Sequence, residues 1–259
     1  MKIPARVAFW VAAGAFTSAL MQAGWGWLDA LGMTALVFVL PALARVQALL
    51  VDRHLKEEGV DLEAALDRVA VYAGSMASLV VLAALALLLA GRGGGRVALE
   101  LGPLPAGRLL AWAAALTLGV LGVVVVFRWA GARLGAEETE LVRAILPRTR
   151  RERVWFVALS CCAGFAEEAA YRGYVLGGLT LLMGTGAAVL VSSVVFGFLH
   201  AYQGALGVAR TAAMGLVLAL GVILSGSLWP AVIAHALLDI LLGLFLGERF
   251  MVPRAPPGV

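Results

Sequence analysis

Among the ionisable residues inside otherwise apolar stretches of this 259-residue chain are Glu167, Glu168, Arg172, His200, His235 and Asp239. Carboxylates beside imidazoles are the material of general acid–base chemistry. A carboxylate takes a proton from water, and imidazoles position that water and stabilise an oxyanion. Spacing assigns first roles. Glu168 and Arg172 are four apart with the acid N-terminal, the favourable order for a helical ion pair. Glu167 lies about 100° further around the helix and is placed to face a reactant. Phe196 and His200 share a helix face, as do His235 and Asp239, so Asp239 is expected to hold a ring nitrogen of His235 and fix its tautomer. A zinc ion on Glu167, His200 and His235 is a competing use of the same donors; metal-free water activation is preferred, with no cofactor. No Ser–His or Cys–His nucleophile spacing and no His-Glu-x-x-His helix is present.

The elements that must carry these residues belong in a bilayer. The chain is 62% hydrophobic and 14% charged, with a mean hydropathy of +0.96, whereas a soluble domain carries about 25% charged residues. Its apolar runs approach the roughly 20 helical residues that cross a membrane. The expected fold is all-α, a polytopic bundle of about eight transmembrane helices forming a single integral membrane domain over 1–259. Residues 1–153 carry no recognised motif, and 154–250 carry the chemistry. The spans are predicted at Val7–Met21, Leu28–Leu50, Val69–Ala90, Leu109–Phe127, Val154–Met183, Gly186–Tyr202, Ala205–Leu224 and Leu228–Phe250. Pro41 is expected to kink the second. The first run continues past any convincing cleavage site and reads as a retained span rather than a signal peptide. Cys161 and Cys162 are adjacent in an apolar helix and read as small buried residues.

Three connections are expected. Val51–Arg68 is charged and reads as an exposed or interfacial helix, and the Gly- and Pro-rich Gly91–Arg108 as a loose loop. Trp129–Arg153 reads either as an amphipathic helix along the membrane surface or as a solvated linker helix. Lys and Arg are concentrated in segments that share a side with the N-terminus, so both termini are expected in the cytoplasm. The net charge of +4 is then a matter of loop arginines, and no nucleic-acid partner is expected. Arg210 reads as an interfacial snorkelling residue.

Placing a charge at the bilayer centre costs roughly 2.5–3.5 kcal/mol, so these residues should face a protein interior or a wet cavity. His200 falls nearer the cytoplasmic end of its span, which argues for a cavity open to that side. Three successive helices carry Glu167-Glu168-Ala169-Ala170-Tyr171-Arg172, Phe196-Gly197-Phe198-Leu199-His200 and His235-Ala236-Leu237-Leu238-Asp239. That series resembles the CAAX-protease and bacteriocin-processing (CPBP, Abi) family of glutamate-dependent intramembrane endopeptidases, which includes the type II CAAX prenyl endoproteases. The resemblance covers about Val154–Phe250. It implies hydrolysis of a peptide or protein substrate at the membrane, with Glu167 as base and His200 positioning the water. His235 with Asp239 would form the oxyanion side, and Glu168 with Arg172 the support. The prenyl-processing members carry Asn where this chain has Asp239, and a carboxylate donates no hydrogen bond unless protonated, so orienting His235 is the role assigned to Asp239. The Ala-, Arg- and Gly-rich composition suggests a prokaryotic inner-membrane protein. Two other readings stand beside the peptidase: a proton- or ion-coupled transporter, and a catalytically silent adaptor or immunity protein on the same scaffold.

Overall fold

A computed structural model of the chain describes residues 4–58, 66–92, 97–135 and 139–246. All regular structure among them is helical. In chain order the helices are α1 (Ala5–Gln22), α2 (Trp27–Thr34), α3 (Leu40–Glu58), α4 (Arg68–Arg92), α5 (Ala106–Leu134), α6 (Glu140–Ala144), α7 (Arg150–Glu168), α8 (Leu176–Met183), α9 (Thr185–Leu199), α10 (Gly204–Ser225) and α11 (Trp229–Leu241). π-Helical turns at Ala35–Val39 and Ala169–Val175 join α2 to α3 and α7 to α8 without breaking the rod, and a third, Leu242–Leu246, extends α11.

Among the described residues, five helical segments are long and apolar enough to cross a bilayer: Trp27–Arg53, Arg68–Arg92, Ala106–Leu134, Ala201–Ser225 and Trp229–Leu246. Their outer faces present Val81, Leu88, Leu110 and Leu118, each more than 60% exposed, a surface that only lipid can cover. The chain is an integral membrane protein. The three remaining expected spans are helical for reasons that also explain why they fall short. α1 has 18 residues. α9 has 15 and spans only roughly 22 Å at 1.5 Å per residue. The α7–α8 rod is long, but Glu167, Glu168 and Arg172 interrupt its apolar character.

Pro41 shows how sequence chemistry propagates. Lacking an N–H, it cannot serve a carbonyl of the preceding turn, and the helix ahead of it widens into the π-turn. Leu40 N–H bonds to the carbonyl of Ala35, so Leu36 loses its usual donor and Pro41 cannot replace it. The hydroxyl of Tyr171, 135 residues later, donates to Leu36 O at 3.3 Å. The proline thus leaves an acceptor that ties the first half of the chain to the acidic motif.

The connections differ from the expected ones. Residues 97–105 are a packed strap. Val97 and Leu99 are buried and lie so close to Gly177 and Gly173 that a Cβ on either glycine would fall 2.8 Å from their side chains. The strap is bonded to the start of α11: Leu228 N–H donates to Glu100 O (2.8 Å), Ser227 Oγ to Gly102 O (2.8 Å) and Trp229 Nε1 to Leu101 O (3.1 Å). Trp129–Arg153 is neither of the helices expected. α5 runs on to Leu134 and stops at Gly135, whose φ of 63° is a left-handed cap. α6 is one short helix, and α7 begins at a capping box formed by Thr149 and Glu152. Of Val51–Arg68, expected as an exposed or interfacial helix, residues 59–65 lie outside the described residues; α3 continues through its first part to Glu58, and Arg68 is buried at the start of α4.

Helix α11 packs between α5 and α7, α10 between α9 and α5, and α4 against α7. One apolar core surrounds Met33, Leu36, Tyr171, Tyr174 and Phe196, and a second surrounds Val120, Leu218, Val222 and Leu238. The polar site lies between them.

Candidate active site

Three elements bring the acids and imidazoles together. Glu167 and Glu168 end α7, and Arg172 sits in the π-turn that follows. His200 occupies the C-cap of α9, and His235 and Asp239 lie on α11. Small residues let these helices approach. A Cβ on Gly164 would fall 2.9 Å from the carbonyl of Val232, and one on Gly197 would fall 2.6 Å from that of Val208. α7 therefore meets α11 at backbone contact, and α9 meets α10 in the same way. A π-turn inside a motif is a frequent mark of a functional site. Here it turns Tyr171, Arg172 and Tyr174 inward together, all buried.

Glu168 is fully buried. Its Oε1 accepts from Arg172 Nη1 at 2.9 Å and from His235 Nδ1 at 2.8 Å. The Glu168–Arg172 pair is thus the one the four-residue spacing implied. The ring nitrogen expected to go to Asp239 goes to Glu168 instead. Asp239 Oδ2 stands 3.7 Å from the other nitrogen, Nε2, beyond hydrogen-bond length. Glu168 reaches the ring from a neighbouring helix, 67 residues earlier in the chain. The Arg172 guanidinium also stacks over Phe196 at 3.8 Å from the ring centroid, and Gly215 leaves it room, since a Cβ there would come within 3.1 Å of Nη2.

His200 is held through its other side. Its Nδ1 lies 3.1 Å from the carbonyl of Phe196, an acceptor only, so the proton belongs on Nδ1. The same logic places a proton on Nδ1 of His235, which faces a carboxylate. Both rings consequently turn Nε2 toward one point. His200 Nε2 is 3.8 Å and His235 Nε2 4.0 Å from Glu167 Oε2. That oxygen is buried and makes no protein hydrogen bond, as is also true of Oε2 of Glu168. Among the described residues, no three His, Cys, Asp or Glu side chains are arranged to hold a metal ion.

Glu167, His200, His235 and Asp239 all line one cavity of about 650 Å³. It runs along α7 from Glu167 to Phe156, roughly 16 Å at the helical rise. Leu141 of α6 and Ile145 beside it close part of its wall. α6 is pinned there by Arg68 Nε, which donates to Ala144 O (2.8 Å), and by the Tyr72 hydroxyl, which donates to Ile145 O (2.6 Å). The strap lies at the other end of the bundle, so the chamber reaches toward the Arg150 end alone. Cys161 is exposed and Cys162 half-buried, a correction to the buried pair expected; α7 turns that face outward.

Sequence reasoning missed the Tyr171 tie and a cluster on the cavity wall. There, Gln203 Oε1 accepts from Arg210 Nη2 (3.2 Å) and Thr211 Oγ1 (3.3 Å), and Gln203 Nε2 donates to the Tyr202 hydroxyl (3.3 Å). Gly204, which starts a new helix one residue after Gln203, was the available signal that this segment folds back on itself. Pro41 signalled an orphaned carbonyl but not its partner.

Residues 149–241 match the family model described as type II CAAX prenyl endopeptidase Rce1-like. The matched segment is Rce1-like. It begins at the N-cap of α7, ends with α11 and contains all six residues above. No curated protein and no solved structure matches the chain. Over those residues the chain is similar to the type II CAAX prenyl endopeptidases, and α1–α6 lie outside the match.

Proposed function

We propose that the protein is an intramembrane endopeptidase that hydrolyses its substrate with a glutamate-activated water. The observation that carries this reading is the convergence of Glu167 Oε2 with Nε2 of His200 and of His235 on the wall of one cavity. The gaps of 3.8 and 4.0 Å are too long for direct hydrogen bonds and suit a small reactant bound between the groups.

In this reading Glu167 takes a proton from water, and the hydroxide attacks the scissile carbonyl. His200, fixed by its bond to Phe196 O, accepts from the attacking water at Nε2 and so directs its lone pair. The tetrahedral oxyanion is met by Nε2–H of His235, whose ring Glu168 holds at Nδ1. Glu168 and Asp239 supply the countercharge for a proton on that ring, and Arg172 neutralises Glu168 at the same oxygen, Oε1. Glu167 then returns the proton to the leaving amine. Asp239 acts on His235 through space rather than as a donor to the oxyanion.

The substrate class that fits is a membrane-associated peptide or the C-terminal tail of a membrane-anchored protein; the setting proposed is a prokaryotic inner membrane with the cavity facing the cytoplasm. The test is purified protein against a panel of fluorogenic peptides beside Glu167→Ala and His200→Ala. Removal of a general base or its partner lowers turnover by about 10²–10⁴-fold. Cleavage that survives in both folded variants would end the proposal. Strong chelators and metal analysis on an active preparation decide whether zinc on Glu167, His200 and His235 takes part.

A further inference from the structure

A second cavity, of about 260 Å³, lies at the strap end of the bundle, bordered by Asp29, Arg92, Trp25, Tyr174 and Val97. Helix packing fixes how its two charges stand. α2 and α4 touch where a Cβ on Gly32 would overlap the Leu89 side chain. Asp29 precedes Gly32 by three residues and Arg92 follows Leu89 by three, so each lies about 4.5 Å beyond that contact, toward the same end. Gly26 also borders the cavity, and a Cβ there would come within 3.0 Å of Asp29 Oδ2, so the glycine leaves that oxygen room. Asp29 Oδ1 is buried without a hydrogen bond. The Tyr174 hydroxyl donates to the backbone carbonyl of Asp29, at 3.5 Å, and not to its carboxylate. Among the described residues, no hydrogen bond or ion pair engages the Asp29 carboxylate or the Arg92 guanidinium.

The cavity lies at headgroup depth. Asp29 is the third residue of the membrane-crossing segment Trp27–Arg53, and Arg92 is the last of Arg68–Arg92. About one turn further into the bilayer, Leu31 and Leu88 are exposed on the same two helices, a surface for acyl chains. Trp27, at the start of α2, is exposed as well, as tryptophans at a membrane interface are. We propose that this cavity is a lipid subsite that seats a phosphoethanolamine headgroup, its primary ammonium donating to the Asp29 carboxylate and its phosphodiester meeting Arg92. An ionised carboxylate only accepts, and one half-buried among apolar groups calls for a cation that donates. A primary ammonium does so, whereas the quaternary ammonium of choline has no N–H. Trp25 and Tyr174, with ring centroids 6.4 Å apart, add aromatic walls that favour a cation, and a guanidinium matches phosphate oxygens. The volume is below the roughly 300–1,000 Å³ of sites for drug-sized ligands, which suits a headgroup and excludes a peptide. The subsite is independent of the peptidase reading, which concerns the opposite end of the bundle.

The experiment compares two lipids that differ only in methylation of the amine. Purified full-length protein, freed of lipid in detergent, is titrated with dioleoyl phosphatidylethanolamine or dioleoyl phosphatidylcholine, and bound lipid is counted by native mass spectrometry. The ethanolamine lipid is expected to fill the first site at least about tenfold tighter, the size of one hydrogen bond to a charged group. Asp29→Asn brings the two lipids to within about twofold of each other. Arg92→Gln weakens both by about threefold, as an exposed ion pair allows, and leaves their ratio alone. The two arms are separate, so a fold defect in one variant, seen as lost helical circular dichroism, leaves the other decisive. Equal first-site affinities, a preference that survives Asp29→Asn, or unchanged binding of both lipids by Arg92→Gln overturns the subsite. Water-soluble glycerophosphoethanolamine separates the sources. Lipid retained against a large excess of it supports the lipid, and displacement at equal concentration overturns the lipid in favour of a soluble phosphodiester.

Discussion

The two ends of the bundle are built from the same apolar helices and treated in opposite ways. At one end, residues 97–105 lie across α8 and the start of α11, with Val97 and Leu99 buried over Gly177 and Gly173 and three hydrogen bonds joining strap to helix. Glu100, at φ 50°, is the only non-glycine with positive φ among the described residues, and its carbonyl takes the Leu228 N–H. At the other end a cavity of about 650 Å³ reaches between α3, α4, α7, α10 and α11, with only the short α6 across part of it. Buried backbone polar groups must be paired, and the carbonyls of Glu100, Leu101 and Gly102 are taken by the start of α11, although Asp29 Oδ1, in a smaller cavity beside Val97, makes no hydrogen bond. The open end leaves Glu167 Oε2 unpaired. The contrast assigns stability to one end and chemistry to the other.

Substitutions test that division. The largest expected effect is Glu167→Gln, an isosteric change at the open end. It should lower turnover by about 10³-fold with the thermal unfolding midpoint in detergent essentially unchanged, and a matching fall in stability would break the contrast. Glu168→Gln sits at the junction and should lose both properties. Removing one partner of a buried ion pair costs roughly 3–5 kcal/mol, and His235 loses the group that orients it. Denaturant titration together with turnover per folded molecule reads the two losses separately.

At the closed end Ser227→Ala removes the donor to Gly102 O. It should cost about 1 kcal/mol and leave kcat/KM per folded molecule as it was. Tyr171→Phe orphans Leu36 O and should cost about as much, with faster hydrogen exchange around Leu36 as its particular sign. The smallest effect is at the cap of α7. The backbone N–H of Arg148, at 2.7 Å, holds the Glu152 carboxyl below the usual carboxylate range. A depressed pKa contributes stability that is complete above the unfolded value of about 4.3 and lost as pH falls through the folded one. Glu152→Gln should therefore narrow the stability difference between pH 6 and pH 3. A difference of the parent's full size would show that the cap contributes nothing.

Legibility followed locality. Apolar runs and i,i+4 spacing are short-range signals, and they placed the helices, the Glu168–Arg172 pair and the Phe196–His200 face. Connections were harder, because composition does not say what a segment touches. Residues 91–108 are rich in Gly and Pro, yet their described part is a packed strap, since Gly173 and Gly177 on a distant helix give it a bed. Arg210 had the composition of an interfacial residue and the geometry of a cavity wall.

The sequence by itself determined that this is a helical membrane chain and which side chains a bilayer would not tolerate without a reason. Hydropathy and helical periodicity are properties of neighbouring residues, and no packing is needed to read them. Only the tertiary structure decided which carboxylate meets which imidazole. Glu167 and Glu168 are adjacent and chemically identical, but about 100° of helical rotation sends one to a cavity and the other to Arg172 and His235. His235 donates its hydrogen bond to a helix 67 residues away rather than to Asp239 on its own, because α7 and α11 meet closely at Gly164. Sequence spacing carries no information about that approach.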